Sequence, residues 1–162
     1  MKFRITIKQQ ILMLLPLILK NGILFGVLIY FFGAEPKIII IIFLIFFLLD
    51  ILPTIILHIQ YLFKNRKATL IVDKEKRKLT YINRSENLEY SFDEILFIQH
   101  FASYGGGTGV YSFGEYKYFM IKFKNDKQII ITCLMINNIK KRLELLLNII
   151  PEKKLRVIPF IN

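Results

Sequence analysis

Apolar positions follow three regimes along this chain. From Ile11 to Leu57 they run almost without interruption, from Ala68 onward they alternate with polar ones, and after Ile136 they recur at helical spacing. Between Lys37 and Lys64 the sole formally charged side chain is Asp50, and Ile38 to Leu49 contains no polar side chain. A helix needs about 20 mostly apolar residues to cross the hydrocarbon core of a bilayer, and Ile38 to Leu57 supplies that length. A buried core helix would normally show a polar face, which this segment lacks. The preceding run, Ile11 to Ala34, is interrupted by Pro16, Lys20, Asn21 and Gly22. The pattern predicts helices at about 14–33 and 37–58. They are joined by Gly33-Ala34-Glu35-Pro36-Lys37, a connection so short that the helices must be antiparallel. A cleaved signal peptide is the alternative for the first run. Its apolar stretch is too long for one, and Phe32 stands where a cut after Ala34 wants a small residue.

Past residue 66 the period changes. Ala68–Asp73 and Lys78–Asn83 are β-branched, aromatic and largely alternating, and Lys74-Glu75-Lys76-Arg77 between them reads as a hairpin turn. Further strands are predicted at Leu88–Phe92, Ile95–Ser103, Tyr116–Lys124 and Gln128–Cys133, with a short edge strand at Val110–Phe113. Ile136, Ile139, Leu143, Leu146 and Ile150 then share one helix face. This predicts a helix over about 135–150, capped at its start by Thr132 or Asn137 and ended by Pro151. The tail either adds an extended segment or stays loose. The expected fold class is α+β: a two-helix transmembrane hairpin in residues 1–66, then a bent antiparallel sheet or barrel in 67–162 capped by the C-terminal helix.

Charge adds orientation. Lys2, Arg4 and Lys8 precede the first span, Lys64, Arg66 and Lys67 follow the second, and the turn holds one Glu and one Lys. The positive-inside rule puts both termini and the domain in the cytoplasm, making this a multi-pass protein of the inner (cytoplasmic) membrane. The single cysteine, Cys133, excludes an intramolecular disulfide and fits a reducing compartment. Lys20 and Asp50 each lie 15 positions from Glu35, so an antiparallel hairpin sets them at one depth. Ionisable groups in a span are costly unless paired or able to reach the interface. Either they form an intramembrane ion pair, or Lys20 snorkels to the headgroups while Asp50 meets water at a kink near Pro53. Under the first reading a double charge exchange restores what each single reversal loses.

Leu52-Pro53-Thr54, His58-Ile59-Gln60-Tyr61 leading to Asn65, the hairpin Leu70–Tyr81, the Phe92-Asp93-Glu94-Ile95 step and Ile130-Ile131-Thr132-Cys133-Leu134 carry a resemblance. The chain resembles bacterial membrane proteins with a pleckstrin-homology-like (PH-like) domain behind a two-helix anchor, of the YcxB-like kind. The resemblance implies a seven-stranded, strongly bent sheet capped by the last helix. It implies little about activity, because the superfold serves lipid, peptide and protein binding alike.

Catalytic chemistry finds no foothold in the sequence. Gly105–Gly109 lacks the Lys-Ser/Thr that follows a phosphate-binding loop and is flanked by strands. His58, His100 and Cys133 have no metal-ligand spacing. Ser103, Ser112, Asp93, Glu94 and His100 could be assembled into a hydrolase site, but no nucleophile elbow supports it. No catalytic residue, metal or cofactor is expected. Two surfaces remain as candidates. Lys64, Arg66 and Lys67, with Lys74, Lys76, Arg77 and Lys78 of the first hairpin, form a membrane-surface or anion-binding set. In lipid-binding PH domains, which this domain resembles, the first hairpin holds headgroups. Tyr104, Tyr111, Phe113, Tyr116 and Tyr118 around the glycine run form a candidate partner-binding rim, with ordinary strand packing as the alternative. The net charge of +11 does not call for nucleic acid, since residues 67–162 carry 16 cations against 10 acids. The expected function is a non-enzymatic module at the inner membrane that binds the bilayer and a protein partner or its own copies. The alternatives are an immunity or membrane-protection factor and an anionic-lipid-binding membrane protein. The first reading expects residues 67–162 to stay soluble and binding-competent alone.

Overall fold

A computed structural model describes residues 1–32, 36–84, 86–104, 111–136 and 138–161. Gly33-Ala34-Glu35 of the expected turn, the glycine run with Val110, and the cap candidate Asn137 lie outside the described residues. Helix α1 spans Ile7–Phe32. Helix α2, Pro36–Phe46, passes through a π-helical turn at Phe47–Ile51 into α3, Leu52–Asn65. Both helical stretches are long and apolar enough to cross a membrane, and both outrun their expected bounds. Phe25 meets Phe43 with ring centroids 5.3 Å apart, and Lys20 meets Asp50. These contacts run in opposite senses along the two helices, which are therefore antiparallel. The π turn has a local cause. Pro53 has no N–H, and its ring crowds the carbonyl four residues back. The helix widens by one residue there, and the Leu52 N–H bonds to Phe47 O.

Eight strands, among the described residues, form two four-stranded sheets. The first runs in the order β1 (Lys2–Phe3), β2 (Ala68–Asp73), β3 (Lys78–Asn83) and β4 (Glu86–Ser91), all antiparallel. A 3-10 turn at Phe92–Glu94, closed by a Ser91/Glu94 capping box, leads to the second sheet. Its order is β7 (Gln128–Thr132), β6 (Lys117–Phe123), β5 (Ile95–Ser103) and β8 (Glu152–Arg156). The tail thus supplies β8, parallel to β5. The expected edge strand near residue 113 is instead a 3-10 turn, Ser112–Glu115. Helix α4, Ile139–Leu147, is shorter than expected because a left-handed residue bounds it at each end, Asn138 (φ 50°) and Asn148 (φ 53°). Ile150 leaves the helix face and is 90% exposed.

Strand β7 is buried on both faces, which is why Ile129–Ile131 reads as a continuous apolar run, and β6 is largely buried beside it, whereas the outer strand β8 is mostly exposed. Phe119, Ile121, Phe123, Ile129 and Ile131 face the first sheet and α4. Phe101, Tyr118 and Ile130 face α3 through Leu57 and Tyr61. Residues 57, 61 and 65 recur every fourth position, one stripe of the helix, and all are fully buried. Strand β1 belongs to the same body: Lys2 and Phe3 pair with Ile71 and Leu70, and the Met1 amino group donates to Val72 O at 2.6 Å. The expected division at residue 66 therefore runs through packed structure. A chain beginning at Lys67 is expected to aggregate on expression, since it exposes Tyr116, Ile130 and Leu134. Recovery of a monodisperse, cooperatively unfolding fragment would refute this.

Candidate functional site

Polar positions along the long helix stitch it to the rest of the domain. Asp50, the only acid between residues 36 and 65, sits in the π turn and is 1% exposed. It accepts from Lys20 Nζ at 2.9 Å, from the Ser112 backbone N–H at 2.5 Å and from Ser112 Oγ at 2.9 Å. Thr54 Oγ1 donates to the Asp50 carbonyl at 2.6 Å. Each Asp50 oxygen therefore has a donor, as a buried carboxylate requires. Lys20 also lies 6.0 Å from the Tyr111 ring centroid. A cleft of about 450 Å3 opens beside this node between Pro16 of α1 and Tyr111.

His58, two turns further on, shares a 2.8 Å hydrogen bond between Nδ1 and Tyr116 Oη. Tyr61 donates to Pro159 O at 2.7 Å, and Gln60 bonds both ways with the backbone of Ile161, so the tail lies along α3. At the helix end Asn65 Nδ2 donates to Ile130 O at 2.9 Å, and its Oδ1 accepts from the Thr132 N–H at 2.9 Å. β7 is an edge strand, and the Asn65 amide occupies the place a neighbouring strand's peptide would take. Asn65 Nδ2 is also 3.2 Å from Tyr81 Oη, which ties β3 to the same point.

The structure thus brings Lys20 and Asp50 together, with a third party, Ser112, that no sequence spacing indicated. The aromatic set divides. Phe113, Tyr116 and Tyr118 are buried in the seam against α3, whereas Tyr104 and Tyr111 are exposed. A rim of all five is not what the fold forms, because α3 already covers three of them. Burial also raises the Tyr116 and Tyr118 phenols above their ordinary pKa. The basic set divides as well. Lys64, Arg66 and Lys67 lie where α3 ends, and Lys74, Lys76, Arg77 and Lys78 lie at the far end of β2, about 20 Å of strand away. Arg77 pairs with Asp93 at 2.8 Å and Lys78 with Glu89 at 2.7 Å. That last contact raises the lysine pKa and lowers the glutamate's, on an exposed surface where water screens it.

Among the described residues no three His, Cys, Asp or Glu side chains converge as a metal site would need. Cys133 is buried and its thiol is pushed up to about 12, so no thiolate is available for nucleophilic work. His100 is buried and stacks on Phe119 at 4.4 Å. Desolvation, then the charges of Lys117, Lys140 and Lys153, lower its pKa to about 4. The unfolded chain therefore takes up this proton first as pH falls. Stability from His100 is present above about 6.5 and is lost between there and about 4, by roughly 3 kcal/mol. Urea melts of His100→Phe should lack this part of the acid dependence. An unchanged slope between pH 6.5 and 4 would count against it.

A family model described as a PH domain matches residues 2–141, which takes in both apolar helices and strands β1 to β7 but not β8. No curated protein matches the chain. PH domains often bind proteins or lipids and are generally non-catalytic.

Proposed function

The chain belongs to this PH-domain family, and from that premise we propose a non-enzymatic module, anchored in the inner membrane, that binds a protein partner or its own copies. The observation that carries the reading is the Asp50 node. One carboxylate joins α1, the π turn and the 112–115 turn of the domain. The domain is then held in one orientation by its helices and does not swing on a tether. The α2–α3 stretch, Pro36–Asn65, is about 45 Å long against a hydrocarbon core of about 30 Å. If Pro36 stands at the outer boundary, roughly the last ten residues emerge on the inner side. There Leu57, Tyr61 and Asn65 pack the domain. Asp50 then lies about 9 Å short of the inner boundary, and the 112–115 turn dips toward it.

The flanking cations support both termini and the domain in the cytoplasm. The finer likeness to YcxB-like bacterial proteins fits the same arrangement. The domain's exposed apolar side chains include Leu145 at 63% and Ile150 at 90%. A photo-crosslinking residue placed at either, in the full-length protein in cells, should give discrete adducts. They should run at the mass of a partner complex or of two copies. The same residue at Glu75 serves as control. Diffuse or absent adducts from both apolar positions would sink the partner-binding reading.

A further inference from the structure

Positive charge gathers in residues 138–161, where Lys140, Lys141, Arg142, Lys153, Lys154 and Arg156 stand against Glu144 and Glu152. In residues 67–137 ten cations nearly balance eight acids. Glu144 lies 3.8 Å from Lys140, and Glu152 lies 2.6 Å from Lys154, so both acids are taken up locally. A cleft of about 400 Å3 opens where α4 begins, lined by Lys117, Asn138, Ile139, Lys140, Lys141 and Glu144. Among the described residues Lys117, Lys141 and Lys153 form no ion pair. Lys153 is the register partner of His100 across the β5–β8 ladder, so their side chains share a face. His100 is 6% exposed, and its Nε2 has no hydrogen-bond partner among the described residues. Lys117, Lys140 and Lys153 are the charges that bear on its ring. Helix α4 also starts here without a side-chain cap from Asn138, and its positive end adds to the same field. Leu145, exposed, follows Lys141 by four positions on one ridge of the helix.

We propose that this face, from the cleft along α4 to Leu145, docks an acidic amphipathic segment of a partner protein. The segment's carboxylates sit among Lys117, Lys141 and Lys153, and one of its apolar side chains meets Leu145. Charge complementarity selects the occupant. Cations without ion pairs repel one another around the cleft, and carboxylates between them relieve that repulsion. A carboxylate drawn between Lys117 and Lys153 also gives the His100 Nε2 a partner, through the tautomer protonated there. Leu145 adds an apolar contact that a free anion has no means to use. The first hairpin suits such a segment less well, because Arg77 and Lys78 already have carboxylate partners. The inference rests on the partner-binding reading above and names the surface and the chemistry of the partner.

The test uses full-length protein in phosphatidylcholine nanodiscs. It is titrated by fluorescence anisotropy with a labelled amphipathic peptide of Glu and Leu, and with the counterpart carrying Gln for each Glu. Two triple variants remove equal charge: Lys117→Gln/Lys141→Gln/Lys153→Gln at the face, and Lys74→Gln/Lys76→Gln/Arg77→Gln at the hairpin. An ion pair at a partly exposed rim is worth roughly threefold, so the face variant should bind the Glu peptide about thirtyfold more weakly. The hairpin variant should stay within about threefold. Lys141→Glu alone loses an attraction and gains a repulsion, about tenfold together, and serves if the triple variant melts early. Equal weakening of both triples, or equal binding of the Gln peptide, would overturn the site. Displacement of the Glu peptide by phosphatidylglycerol vesicles, but not by phosphatidylcholine vesicles, would assign the face to a membrane and overturn the protein partner. In cells, the adduct from a photo-crosslinking residue at position 145 should vanish from the face variant and persist in the hairpin variant. Persistence in both, or an adduct from position 150 alone, would remove this docking surface and leave partner binding standing. Absence of adducts from both positions in the otherwise wild-type chain would remove partner binding itself.

Discussion

Asp50→Ala is expected to unfold the junction. It takes the carboxylate from beside Lys20 and leaves the Ser112 N–H, buried with its residue, without an acceptor. Removing one member of a buried charge pair costs about 3–5 kcal/mol, because the groups left behind stay desolvated. Full-length protein in nanodiscs should lose that much in denaturant titration. Protease should also gain access to the 112–115 turn. The exchange Lys20→Asp/Asp50→Lys is informative because a simple ion pair and the observed node predict opposite results. A pair alone tolerates reversal. Here the Ser112 N–H needs an acceptor at position 50, and an ammonium has only donors. The exchanged protein should be no more stable than Asp50→Ala. Restoration by the exchange would show that Ser112 contributes nothing.

Asn65→Ala should be nearly as damaging. The amide satisfies Ile130 O and the Thr132 N–H together and donates to Tyr81 Oη, all at a residue with no exposed surface. Each buried backbone group left unpaired costs about 1–3 kcal/mol, so a loss of about 3 kcal/mol is expected. Asn65→Asp separates packing from hydrogen bonding. The carboxylate is nearly isosteric and still accepts from Thr132, but it has no donor and faces the Ile130 carbonyl. It should be as destabilised as alanine. Wild-type stability for Asn65→Asp in urea titration would refute the strand-mimic account.

These positions show unequal legibility. The opposing spacing of Lys20 and Asp50 about Glu35 was readable because a short turn fixes register along two antiparallel helices. Ser112 was not readable: it lies 62 positions from Asp50, and nothing local distinguishes it from any loop serine. Asn65 carried a faint signal, a polar amide ending an apolar helix one turn before a strand. The aromatics around the glycine run were visible as a cluster, but which of them faced water depended on where α3 lay.

Periodicity alone determined the two apolar helices, strands β2 and β5 to the residue, and the amphipathic character of α4, because side-chain direction along a helix or strand is a local property. Tertiary structure alone decided that α3 ends inside the domain core, that Lys2 and Phe3 join the first sheet, and that the tail lies parallel to β5. Those outcomes depend on burying β6 and β7 and satisfying the β7 edge. Such requirements arise only once distant segments meet, and no window of sequence contains them.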